Sequence, residues 1–244
     1  MTDFPISVVK MTSPTYNSLM IFFLISLPLL AQANEKKIGV SFNLNHTTTS
    51  KLFLQPNASD QFIRNTHENL DGITSYSVEA RYQISEAVII GLGSEIIKKT
   101  FENSINLGGL RAKMNDGYQM IPIELSGYYL IPFSREHFKF FMGGGFGLYF
   151  GKQIRELGDV TVSTDTKKVG YGIHVAVGMD FLFADYLALR GQMRFRDPEF
   201  EMTSSYSSDT VNYENENYDL RTQNFSSKVN IDGITFTIGV VFNF

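Results

Sequence analysis

Cysteine and tryptophan are both absent from the 244 residues. Without cysteine there is no disulfide framework, no thiolate zinc site, no Cys nucleophile and no N-terminal Cys to carry a lipid. Histidine is scarce: four residues (His46, His67, His137 and His174) lie on separate segments with no metal-ligand spacing. A basic excess is missing too. Against 25 Asp and Glu stand 21 Lys and Arg, for a net charge of −4, so the counterion release that draws proteins to nucleic acid has no source here. Long apolar runs are also lacking. The segment LMIFFLISLPLLA at 19–31 has 13 residues, short of the ~20 that a helix needs to cross a bilayer.

That short run reads instead as an export signal. Lys10 precedes it, the small-x-small triplet Ala31-Gln32-Ala33 follows it, and Glu35, Lys36 and Lys37 end its apolar character. The expectation is a signal peptide over 1–33 and a mature domain over 34–244, with Met11 and Met20 as alternative starts that leave export unchanged.

Glycine (20), phenylalanine (21) and tyrosine (12) are plentiful, and the mature sequence alternates with period two. Eight segments show one apolar and one small or polar face: 37–45, 76–84, 87–97, 118–131, 137–151, 169–183, 186–196 and 231–244. Within 76–84, for instance, Tyr76, Val78, Ala80, Tyr82 and Ile84 oppose Ser77, Glu79, Arg81 and Gln83. The connections alternate long and short, with 45–76, 98–117, 152–168 and 197–230 long and 85–86, 132–136 and 184–185 short. Four long loops at one end and three tight turns at the other predict an all-β fold: an eight-stranded antiparallel up-and-down transmembrane β-barrel, with turns in the periplasm and loops outside.

Charge separates this from a soluble barrel, whose interior is the apolar face. Glu79, Glu95, Glu124 and Asp180, with Arg81, Lys139, Arg190 and Arg194, all share the face that carries glycine, and the apolar face has no ionised side chain. His174 belongs to the same inward face. Eight strands leave room only for side chains, so these charges are expected to pair across the interior as a plug. Outward aromatics gather near the strand ends, Tyr82, Tyr129, Phe138, Phe181, Phe242 and Phe244 by the turns and Tyr76, Phe150, Tyr171 and Phe195 by the loops, as two interfacial girdles require.

Several segments resemble those of the eight-stranded outer-membrane barrels of the OmpA-transmembrane-domain, OmpX and opacity-protein type. They are IPIELSGYY at 121–129, MGGGFGLY at 142–149, LALRG at 187–191 ahead of Asp197-Pro198, and DGITFTIGVVFNF at 232–244. The alternating end of the last, Phe236, Ile238, Val240, Phe242 and Phe244, resembles the family's signal to the barrel-assembly machinery. The resemblance implies periplasmic chaperones, insertion by that machinery, a lipid and lipopolysaccharide surrounding, a monomer, and no cofactor. The resemblance is to the barrel of OmpA alone, and the peptidoglycan-binding domain that follows that barrel is not expected here.

Two barrels of this size modify lipid A, which raises an enzyme alternative. One of them sets a Ser two residues from a His on one strand face, but His174 has Ala176 there, and His46 and His67, with Thr48 and Ser50 nearby, show no third group. No catalytic, cofactor or metal residue is expected. The glycines at 143–147 lack the Lys and helix of a phosphate cradle and are expected to make room for bulky neighbours or let the wall bend. Function then falls to the loops. The fourth has seven acids (Asp197, Glu199, Glu201, Asp209, Glu214, Glu216, Asp219) against Arg221 and Lys228, and its tyrosines resemble an adaptable binding surface for a host or extracellular ligand over 197–229. The second has Lys98, Lys99, Arg111 and Lys113 against Glu102 and Asp116 and could meet lipopolysaccharide phosphates. The expected role is a surface scaffold with adhesive or envelope contacts; a narrow solute channel is the alternative.

Overall fold

A computed structural model describes residues 37–220 and 224–244, apart from the side chains of 166 and 167; the segment read as a signal peptide and Arg221 lie outside the described residues. Eight long strands make the wall: β1 (Ile38–Phe53), β2 (His67–Gln83), β3 (Val88–Leu107), β4 (Leu110–Leu130), β5 (Phe138–Leu157), β7 (Gly170–Ala184), β8 (Leu187–Arg196) and β13 (Ile234–Asn243). Their antiparallel pairings run β1 to β2, β3, β4, β5, β7, β8, β13 and back to β1, an unbroken ring of eight. A ring has no open edge, so every strand interior finds ladder partners on both sides.

The outer half departs from the expectation of long loops. β1 and β2 stay paired as far as Phe53 and His67, and β3 and β4 as far as Leu107 and Leu110. Five further strands appear: β6 (Val160–Lys167), β9 (Glu199–Tyr206) and β12 (Asn224–Asn230) extend the wall outward, and β10 (Thr210–Tyr213) with β11 (Glu216–Asp219) forms a separate hairpin. Irregular connections shrink to tips. Gly108-Gly109 and Glu214-Asn215 each have two successive positive φ values, the requirement of a two-residue hairpin turn. Among the described residues only the first excursion holds a helix, the single turn α1 (Gln61–Asn65), capped by Asp60. Period-two alternation fades here because the extension is polar on both faces in places, which made the ladder look like loop.

Side-chain direction follows the alternation. Leu44, Val78, Leu92, Ile123, Phe146, Ile173 and Ile238 face outward and exposed, while their neighbours Asn45, Glu79, Gly91, Glu124, Gly147, His174 and Gly239 turn inward. A continuous outward band of this kind is stable against hydrocarbon and not against water. Tyr76, Phe150, Tyr171 and Phe195 border it at the outer end and Tyr82, Tyr129, Phe138 and Phe242 at the turn end, all exposed.

The glycines of β5 let the wall close around bulky inward rings. A Cβ on Gly143 would lie 2.6 Å from the Tyr128 ring, and one on Gly145 would lie 1.9 Å from the Leu125 carbonyl. Gly145→Val should therefore destabilise the folded barrel by about 1–3 kcal/mol through overpacking, measured as the urea midpoint of the folded, heat-modifiable band.

Candidate functional site

The site is the barrel interior, built in layers from the turn end outward. Along β8 and β9 the inward residues step through it: Arg190 enters the first layer, Arg194 and Arg196 the second, and Phe200 and Met202 the apolar one beyond.

The innermost cluster pairs two acids with two arginines. Arg190 meets Asp180 in a bidentate contact (Nε to Oδ1 2.7 Å, Nη2 to Oδ2 2.8 Å) and reaches Glu79 at 3.2 Å. Arg81 donates to Glu79 at 2.6 Å and stacks over the rings of Tyr128 and Phe141, 4.1 and 4.9 Å from their centres. Stacking accounts for the Arg81 Nη atoms, which have no hydrogen-bond partner. The Tyr128 hydroxyl completes Glu79 at 2.6 Å. Ring faces and carboxylates therefore replace water around a charge that is 6% exposed.

A second cluster lies farther out. Arg194 bonds Glu124 and, at 2.8 Å, Glu95; Arg196 donates to both Glu95 oxygens at 2.8 and 3.2 Å and lies 3.5 Å from Glu124. Ser75 donates to Glu95 and Tyr149 to Glu124. Each cluster holds two carboxylates and two guanidiniums, so each is neutral as a unit. Between them a polar cavity of about 20 Å³, bordered by Asn43, Ser77 and Gln192, has room for about one water. His174 is 3% exposed, and its Nε2 lies 2.9 Å from Ser126 Oγ, reached across side-chain-free Gly145, while its Nδ1 has no partner.

Above the ions the interior turns apolar. Leu52, Leu70, Ile73, Ile97, Tyr118, Met120, Phe200, Met202, Val229 and Ile231 form one buried cluster, an inward apolar core where loops were expected. Next comes a third ion pair, Arg155 with Asp116, joined by Gln153 and Ser227. Leu107, Met114, Leu157, Val160, Val211 and Leu220 close the outer end.

Most of the sequence-expected residues thus meet: Glu79, Arg81, Asp180 and Arg190 in the first cluster, Glu95, Glu124 and Arg194 in the second. Lys139 is a correction. It stands opposite Asp180 in the β5–β7 ladder, yet it is half-exposed near the turn end and makes no ion pair among the described residues. The second cluster's other cation, beside Arg194, is Arg196, missed because it ends a strand, although it continues the i, i+2 face of Arg194. Asp116, counted as a loop acid, is fully buried, and Lys99 donates to the Asp71 and Gly72 carbonyls. His46 points outward, Ser50 is buried under the Tyr118 hydroxyl, and His67 rests on Phe53, so the three do not converge. Phe236, Ile238, Val240 and Phe242 face outward on β13, and Phe244 follows that strand.

Removing one partner from a buried cluster leaves an uncompensated charge. Arg196→Met is expected to cost about 3–5 kcal/mol in urea unfolding, and Lys139→Gln within about 0.5 kcal/mol of zero.

No protein-family model and no curated protein matches the sequence. Solved structures do. The outer membrane protein OprG of Pseudomonas aeruginosa is 14% identical and superposes with a TM-score of 0.61 over 87% of this chain and 98% of its own. Neisserial surface protein A (14%, TM-score 0.49, 85% and 97%) and Ail of Yersinia pestis (9%, 0.43, 86% and 99%) are weaker likenesses. The OprG superposition, with the ring of pairings, shows that this chain has the β-barrel fold of an outer-membrane protein.

Proposed function

We propose that this chain is an integral outer-membrane protein whose barrel is an occluded scaffold and whose rigid β-extension makes the contacts outside the cell. One observation carries the reading: where the outward face is apolar the inside is filled by two neutral ion clusters, and beyond the outer border of that band by a buried apolar cluster. Charges paired this tightly act as a plug, because opening a water path means breaking contacts that no solvent replaces. Lipid on the outside and a C-terminal strand with outward Phe236, Ile238, Val240 and Phe242 fit insertion by the barrel-assembly machinery after chaperoned transit. The His174–Ser126 pair sits sealed in this interior with nothing at Nδ1 to orient the ring, which favours a structural hydrogen bond over a nucleophile.

The outward contact surface is the fourth excursion, whose described residues 199–206, 210–213, 216–219 and 224–230 are strands. Its basal acids are engaged, Asp197 by Asn230, Glu199 by Lys228 and Glu201 by Lys168. The β10–β11 hairpin remains as the acidic end, with Glu214, Glu216 and Asp219 exposed while Tyr213 and Tyr218 pack half-buried against the outer apolar cluster. It is the part we assign to adhesion or envelope contact.

In planar bilayers the wild type should show no steady openings; steady wild-type conductance would overturn the plug. Deleting 210–219 should abolish attachment to host cells or matrix and leave the heat-modifiable barrel folded. Attachment that survives the deletion refutes that hairpin's role.

A further inference from the structure

The outer border of the apolar band differs from one side of the barrel to the other. On β3, β4 and β5 the outward apolar band ends at Ile96, Ile121 and Phe150, at 59%, 40% and 41% exposure, and Ile154 of β5 is the one apolar residue of that parity farther out. Two positions farther out each strand becomes polar, with Lys98, Gln119 and Lys152. The ladders put these three in a single row, Lys98 opposite Gln119 and Gln119 opposite Lys152. Strands lie roughly 4.8 Å apart, so the two lysines leave the wall about 10 Å from each other.

Pairing and position together set this row apart: Arg111 and Lys113 also make no ion pair among the described residues, but they stand eight and six residues farther out along β4 than Gln119. Elsewhere on the extension, Lys51, Lys168 and Lys228 are bound to Asp232, Glu201 and Glu199. Lys98 and Lys152 are exposed and make no ion pair among the described residues. On the same strands the outward acids, Glu102 and Glu156, stand four residues farther out. Beside Lys152, β5 and β6 meet only at Glu156–Thr161 and Leu157–Val160. Below that junction they part around a polar cleft of about 330 Å³ that holds the hydroxyls of Thr161 and Ser163.

Resting on the reading that the barrel spans the outer membrane, we infer that Lys98, Gln119 and Lys152 bind the phosphorylated sugar headgroup of an outer-leaflet glycolipid. Its acyl chains lie along Ile96, Ile121 and Phe150, its phosphates meet the two ammonium groups, and its sugar has the cleft beside Lys152. An apolar wall immediately below unpaired cations matches a phosphate that carries hydrocarbon, and a free anion would have no use for the wall.

The test uses the folded chain in phosphatidylcholine nanodiscs with bisphosphorylated lipid A as the probe, read as retained lipid by native mass spectrometry. Lys98→Gln and Lys152→Gln should each weaken retention about fivefold and the double variant about thirtyfold. Dephosphorylated lipid A should be retained poorly, and Lys51→Gln with Lys228→Gln should behave as wild type. Wild-type retention by the double variant overturns the assignment, as does equal loss in the Lys51/Lys228 control. Displacement by inorganic phosphate would replace it with a free-anion site, and equal retention of dephosphorylated lipid with recognition of acyl chains alone. A chain that stays soluble without detergent and never enters the discs would instead refute the membrane reading, a result separable by its unshifted gel mobility.

Discussion

Four carboxylates and four guanidiniums enclosed by eight strands have almost no water to solvate them, and the rest of the structure accommodates that constraint. Left alone, each charge would cost several kcal/mol of desolvation. Here Glu79 and Asp180 share Arg81 and Arg190, and Glu95 and Glu124 share Arg194 and Arg196, so each group is neutral and its remaining lone pairs go to Tyr128, Tyr149 and Ser75. The glycines opposite exist for the same purpose: the space their missing side chains leave is where Tyr128 and Glu79 lie. Because a one-residue slip in any strand would carry these charges onto the apolar face, the ion clusters and the outward band specify the same register.

The interior changes its physics along the axis. Near the turns, polarity inside balances oil outside, an inverted protein. In the outer half the oil returns to the inside, as Leu52, Ile97, Met120 and Phe200 pack together while Lys98 and Lys152 face out. That reversal is what a wall passing from hydrocarbon into water requires, and it explains why the extension stays β-structured rather than fraying into loops: it has a core of its own.

Within the band, alternation alone was enough to read strand identity, face and inward charge, because one face must be uniformly apolar and the other cannot be. The weaker readings all lie outside it. The excursions 45–76, 98–117, 152–168 and 197–230 looked like loops since Thr, Ser, Asn and charges occur there on both faces, and only the pairing of one extended strand with another makes them wall. Lys139 looked like a partner because it shares a parity with Asp180. Its position by a solvated turn removed the pressure to pair, while Arg196, the last residue of the 186–196 segment and left out of the charge count, joined Arg194 in the second cluster.

The amino-acid order by itself determined the antiparallel eight-strand ring, its inside and outside, and the surplus of inward carboxylates and arginines, since period, parity and turn length are local quantities. Which arginine meets which carboxylate, that Gly145 lets His174 reach Ser126, that Asp116 is buried with Arg155, and that Lys98 and Lys152 fall in one unpaired row were decided only by tertiary structure. These depend on strand stagger around the closed ring, which joins residues as far apart as Glu95 and Arg196 and which no window along the chain contains.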